Sequence, residues 1–360
     1  MSHSRTLVIS DLHLGVNRTG GTTTQSLEAL REYAHSKHAE LLQVAVSHGC
    51  GRVLVNGDLT DTYNIPLTEA LKLYETADNF MSTNPAKELV WSLGNHDVSK
   101  DSSKLGTVAF IGALLQMKYP ERFTLVDKPR RIDNIYVLPH CANQEIFQLE
   151  ISRIPENVQY CAIHANFDNS FAMQSDGSLN LDRATAKVLA KRMTLIFGHE
   201  HQGRSLMGDK VVIVGNNFSQ SVSDCLSHGD SQKDGKKYCL VIDGDDMELV
   251  QTWSCNDEVG GFTEVDWQDL QGCKANGFVR VKGEANAAQA AEVIKSISRF
   301  RQASPAFVIT NAVKVEGSGT DESFAESVED IRGVDVLSML IETLDTEQAA
   351  CVRKLLKEAA

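Results

Sequence analysis

The stretches SDLHLG, NGDLTD, LGNHDV, AIHAN and FGHEHQ carry Asp11 and His13, then Asp58, then Asn95 with His96 and Asp97, then His164, then His199 with His201. Each follows at once on an apolar run that reads as a strand: TLVI, VLV, ELVWSL, YCAI and TLIF. Polar, metal-capable side chains in such places are costly to bury unless something pairs with them. A single Gly-Asp after a strand is an ordinary turn, and a lone His-x-His is ordinarily a surface or core pair. Recurrence past five strands points instead to one shared site, because open α/β sheets build their sites at the carboxyl ends of strands. Gly57, Gly94 and Gly198 let the backbone turn sharply and come close to that site. The donors are carboxylate, amide oxygen and imidazole without thiolate. That set suits manganese, iron or magnesium, with zinc as a further candidate. Two such ions about 3.5–4 Å apart, bridged by a carboxylate, clamp an in-line phosphoryl displacement. A histidine beside them titrates in the right range to protonate a leaving alkoxide.

The elements that must hold these loops alternate in kind. RTLVIS is followed by a long amphipathic segment with Leu27, Leu30, Leu41, Leu42, Ala45 and Val46 at helical spacing. RVLVN leads to a helix carrying Leu67, Leu71 and Tyr74, and IYVLP is a further short strand. This alternation predicts a layered α/β core with buried strands. After about residue 203 come KVVIVG, KYCLVID and MELVQTW. From about 258 a small β-α-β unit follows: GFVRV, an alanine-rich helix over Ala287 to Phe300, and AFVITNAVKV. EGSGTDES reads as a linker, and two short amphipathic helices end the chain, the second opening near Asp345 with Gln348 as capping partner. The expected organisation is 1–256 catalytic, 257–316 capping, 317–322 linker and 323–360 a partner-binding tail.

The 360 residues suffice for one large domain with additions or for two domains. No apolar run approaches the ~20 residues of a membrane span, and MSHSRTLVIS lacks the basic start and long apolar core of a signal peptide. Eight cysteines stand singly without a C-x-x-C pair, which reads as reduced thiols in a cytoplasmic protein. The net charge of −13 argues against a surface coated in DNA-attracting potential but leaves room for a local patch. Lys128, Arg130 and Arg131 form one basic cluster and Lys233, Lys236 and Lys237 another; both read as solvated surface.

DLHLG, GDLTD, GNHD, the histidine after YCAI, and GHEH resemble, in order and spacing over about residues 5 to 215, the signature of the calcineurin-like metallophosphoesterases. The resemblance implies a four-layer α/β/β/α sandwich with a small β-α-β capping domain and C-terminal helices. It implies two divalent metal ions, manganese foremost. Asp11, His13, Asp58 and His201 resemble the ligands of the first ion. Asp58 would bridge, and Asn95, His164 and His199 resemble the ligands of the second. His96 matches the family's catalytic histidine, which contacts the phosphate and helps the leaving oxygen depart, and Asp97 would orient it or hold a turn.

Within the superfamily SDLHLG resembles the opening motif of the SbcD-type nuclease subunit of double-strand-break repair complexes, in a compact, phage-like version. VVIVGNNFSQSVSDCLSHGDSQKDGKKYCLVID resembles that family's returning strands, 277–316 its DNA-facing cap, and the final helices the segment that docks on an SbcC-like coiled-coil ATPase. DNA as substrate, the ATPase as partner and a homodimer are thereby implied. Asp61 stands where many such nucleases carry a second histidine, and no position of the family demands His140. A stand-alone phosphodiesterase for small nucleotides and a weakly catalytic scaffold are the alternatives.

Overall fold

The computed structural model describes residues 4–17, 21–99, 101, 104–169, 178–226 and 235–316. The expected linker and helical tail, 317–360, lie outside the described residues.

Two six-stranded mixed sheets face one another. The first has the order β14 (Asp246–Ser254), β13 (Lys236–Asp243), β1 (Thr6–Ile9), β2 (Arg52–Asn56), β3 (Glu88–Ser92) and β4 (Phe123–Val126). The second runs β11 (Arg204–Leu206), β12 (Val211–Ile213), β10 (Thr194–Gly198), β7 (Tyr160–His164), β6 (Ile135–Leu138) and β5 (Arg130–Ile132). The strands that end in the metal-capable loops are parallel within each sheet, so their carboxyl ends share an edge.

Alternation along each strand explains the layers, since successive side chains leave on opposite faces. Val8, Leu54 and Val90 point between the sheets, where they meet Ala162, Ile196 and Val212 in one core. Their neighbours Leu7, Ile9, Val53, Val55, Leu89 and Trp91 point outward to a second core. Helices α1 (Thr24–Ser47), α2 (Leu67–Thr83) and α3 (Thr107–Lys118) cover it with Leu30, Leu41, Phe80, Met81, Ile111 and Leu115. Cys161, Ile163, Leu195 and Phe197 face a third core under α4 (Gln144–Ser152) and α5 (Arg183–Leu189). Three cores between four layers make the α/β/β/α sandwich. Beside His164, the two-residue strands β8 (Asn166–Phe167) and β9 (Asn180–Leu181) add a parallel ribbon.

Helix α2 forms where the sequence places it, with Leu67 and Leu71 84% and 55% exposed and Leu73, Ala77, Phe80 and Met81 on its buried face. One expectation from the sequence is corrected. Lys237 is not solvated surface: it is 3% exposed, with its Nζ 2.5 Å from Asn216 Oδ1. Lys128, Arg130 and Arg131 are exposed.

Beyond β14 lies a separate three-stranded parallel sheet of β15 (Phe262–Asp266), β16 (Phe278–Lys282) and β18 (Val308–Asn311). A short parallel ribbon, β17 (Glu284–Ala285) with β19 (Lys314–Val315), extends it. Its helix, Ala290–Ala303, buries Val293 and Ile297 in a core of the unit's own with Trp267, Val279 and Val281. The unit is nonetheless joined to the sandwich, because Phe278 and Phe307 stack around Tyr33 of α1. Ile309 also donates its N–H to the carbonyl of Gly21, in the segment that follows the Asp11 loop.

Candidate metal centre

The strand ends converge as their spacing predicts. Asp11, His13, Asp58, Asn95 and His96 come from the first sheet, and His164, His199 and His201 from the second. Asp11, Asp58 and His164 are buried almost completely. The turns that deliver them are tight: Asp11, His13, Asp58 and His199 all have positive φ, at 54°, 42°, 49° and 86°. Such conformations cost about 1–3 kcal/mol each and persist only where the surroundings over-determine them. Fully burying one large apolar side chain contributes about 1.5–3 kcal/mol, so the three cores readily outweigh the strain. At Gly57, with φ of 87°, a Cβ would lie 2.0 Å from His164 Nδ1. Only glycine lets the β2 turn sit against that ring.

Three overlapping groups of ligand atoms lie within 4.8 Å of one another: Asp11, His13 and His201; His13, Asp58 and His96; and Asp58, His164 and His199. Asp58 belongs to two of them. His164 Nε2 is 3.3 Å from Asp58 Oδ2 and 3.0 Å from Asn95 Oδ1, and His199 Nδ1 is 2.9 Å from that same amide oxygen. On the other side, the Nε2 atoms of His13 and His201 are 3.1 Å apart.

Hydrogen bonds at the far nitrogens decide what these contacts mean. His164 Nδ1 is 2.9 Å from the Asn56 carbonyl, His96 Nδ1 is 2.6 Å from the Asp61 carbonyl, and His201 Nδ1 is 2.8 Å from Asp224 Oδ1. Those partners accept only, so each Nδ1 carries a proton and each ring turns its Nε2 inward. His164 Nε2 thus faces carboxylate and amide oxygens, and His201 Nε2 faces another imidazole. Groups so placed need a proton or a cation between them. The donor set fits divalent ions.

The electrostatics agree. Burial raises Asp11, and repulsion from Asp58 adds to this against the pull of His164 and His201, leaving it at about 6. Burial works against protonating His164, yet Asp58, Asp11 and the Asn56 carbonyl prevail and lift it to about 9. Burial likewise opposes charge on Asp58, but His164, His13 and His96 hold it well below the usual carboxylate range. The field that would keep a proton on His164 is one that a bound cation satisfies instead.

The sequence pattern of the calcineurin-like phosphoesterase family matches residues 4–203, which include all of these side chains except Asp224. The chain belongs to the calcineurin-like phosphoesterase family. Membership implies metal-dependent hydrolysis of phosphoesters, with divalent ions at the Asp and His clusters just described. No similar protein was found among curated proteins. No helix among the described residues is long and apolar enough to cross a membrane.

Of the two roles expected for Asp97, orienting His96 or holding a turn, its hydrogen bonds fit the turn. The carboxylate of Asp97 accepts from the N–H groups of Leu59, Thr60 and Gly94 and from the Thr60 hydroxyl, at 2.9–3.3 Å. Asp97 thus ties the β2 and β3 loops together, and the His96 ring is held by Asp61 instead, through its backbone carbonyl. Asp224 is the functional candidate that strand-end patterns missed. It lies beyond the GHEH loop in SVSD, where a short polar run gives no local sign of a site. His140 follows β6, donates its N–H to the Leu93 carbonyl, and lies within electrostatic reach of His164, Asp58 and His96. Burial, with His164 second, lowers it to about 4, so it is neutral there.

Proposed function

We propose that this phosphoesterase is a DNA nuclease subunit that cleaves phosphodiester bonds at a two-ion centre. The observation that carries the hydrolytic reading is Asp58, shared between ligand groups drawn from the two sheets. Asp11, His13, Asp58 and His201 would hold one ion, and Asp58, Asn95, His164 and His199 the other. Bound there, divalent ions supply electrophilic activation of the phosphate and a water acidic enough to attack it. The chain's own residues do the rest. Asn95 and Asp58 fix the spacing of the loops, with the His96 N–H donating to Asp58 Oδ1 at 2.9 Å. His96, its Nδ1 held by Asp61, presents Nε2 to the phosphate and hands a proton to the leaving oxygen.

The nuclease assignment rests on the likeness of SDLHLG and of the regions past GHEH to SbcD-type subunits. The place of the small unit favours it too: tied to Gly21, it stands beside the segment that continues from the Asp11 loop. An SbcC-like ATPase bound through 323–360 and a cytoplasmic location belong to the same proposal. So does a homodimer, for which α2 and α3 offer a surface. They pack on one another and expose Leu67, Leu71, Phe110, Leu114 and Met117. Manganese is the proposed native ion.

Turnover of linear duplex DNA, single-stranded DNA and a chromogenic phosphodiester, compared in manganese and after chelation, tests the reading. A nuclease subunit cleaves DNA in manganese and stops on chelation. Cleavage of the small ester alone, with DNA untouched, would favour a stand-alone phosphodiesterase.

A further inference from the structure

We propose that Asp224 is a positioning residue that sets the first metal site, by holding His201 through Nδ1 so that Nε2 faces Asp11 and His13. This rests on the two-ion reading and goes beyond it, because Asp224 lies outside residues 4–203, where the family pattern matches.

The geometry is specific. Asp224 lies on the short helix α6 (Val222–Leu226) and is buried. Its Oδ1 accepts from His201 at 2.8 Å, its Oδ2 accepts the Gln220 N–H at 3.1 Å, and its own N–H donates to Ser221 Oγ at 3.0 Å. The carboxylate is therefore fixed from both sides. The same segment grips the other ligands of that site. Asn217 Oδ1 accepts the Ser10 N–H at 2.8 Å, and the Gln220 side chain donates to the Leu12 carbonyl, on either side of Asp11. Asn217 and Gln220 are themselves buried.

The contrast with the neighbouring rings gives Asp224 its weight. His164 and His96 are held by neutral backbone carbonyls, whereas His201 is held by a carboxylate. An anionic partner makes an imidazole the stronger donor and fixes its tautomer, and losing such a partner commonly costs 10–100-fold in metal affinity. Lys237, buried and bonded to Asn216, lies within electrostatic reach of both Asp224 and Asp11. The first site thereby gathers Asp11, the shared Asp58 and Asp224 behind His201. The second has only Asp58 among carboxylates, with neutral Asn95 and two histidines. The first site is the tighter one.

Titration of the metal-free full chain with manganese, followed by electron paramagnetic resonance and calorimetry, tests this. The wild type should take up two ions with unequal affinity. Asp224→Asn, which keeps the shape and removes the charge, should weaken the tighter site by roughly 10–100-fold and leave the other unchanged. The melting temperature without metal should move little, and Asp224→Glu should recover part of the loss. Wild-type affinity at both sites in Asp224→Asn overturns the proposal. So does a parallel loss at both sites with a lowered metal-free melting temperature, which would mark a merely structural role. Fewer than two ions in the wild type overturns the two-ion reading itself.

Discussion

The two sheets bring unlike chemistry to the edge they share. The first supplies every carboxylate and amide oxygen aimed into the centre, Asp11, Asp58 and Asn95, together with His13 and His96. The second supplies only imidazoles: His164, His199 and His201. Neither edge is comfortable alone. Asp58 raises the cost of ionising Asp11, and burial opposes a second proton on His164 and His201 until the carboxylates of the other edge offset it. Docked through Val8, Leu54 and Val90 against Ala162, Ile196 and Val212, the edges complement each other, and the centre exists only in the assembled sandwich. Strained turns occur on both edges, at Asp11, His13 and Asp58 on one and at His199 on the other. The packing between the sheets is what holds the chemistry in place.

The largest break in this comparison is Asp58→Ala, which removes the oxygen donor that both edges share. It should lose both ions and all phosphodiester turnover, read by metal analysis and a chromogenic ester. His96→Ala comes next. It should keep both ions while kcat falls roughly 10²–10⁴-fold, the usual worth of a positioned acid or base. Loss of either ion in that variant would make His96 a ligand. Asp97→Ala touches only the first sheet's loops. It strands buried donors of Leu59, Thr60 and Gly94, each costing about 1–3 kcal/mol when unsatisfied. Denaturant midpoints should fall by several kcal/mol equivalents in all, and metal affinity should drop as a consequence.

The ligands were legible in the sequence because each belongs to a local unit, a strand followed at once by a turn that re-aims one or two side chains. The layers were legible for a similar reason: VLV and TLIF say that a strand is buried on both faces. What escaped was supplied from a distance or by atoms that every residue has. The carbonyls of Asn56 and Asp61 that orient His164 and His96 carry no residue signature. Asp224 reaches His201 across a fold whose first sheet inserts β13 beside β1, a pairing between residues far apart in the chain. Asp97 was seen with two roles open, orienting His96 or holding a turn, and only the donors that reach it, the N–H groups of Leu59, Thr60 and Gly94, show which it takes. Leu67 and Leu71 kept helical spacing while facing outward.

The smallest expected effect lies on the outer side of the first sheet. His38 on α1 is fully buried, and among the described residues neither ring nitrogen has a hydrogen-bond partner. Burial, with His35 second, lowers it from 6.5 to about 3. The unfolded chain then binds this proton first, so stability is intact above pH about 6.5 and declines as the pH falls toward 3. The slope is at most about 1.4 kcal/mol per pH unit from this residue. His38→Leu should flatten that acid limb in chemical denaturation without altering turnover at neutral pH.

The two edges are proposed to meet on a pair of ions bridged by Asp58. Electron paramagnetic resonance of the manganese-loaded protein tests it most directly, because ions held about 3.5–4 Å apart on a common bridge are magnetically coupled. The expected spectrum is that of a coupled pair in the wild type, absent in Asp58→Ala at the same manganese concentration. A saturated wild-type protein showing only isolated, uncoupled manganese would contradict it.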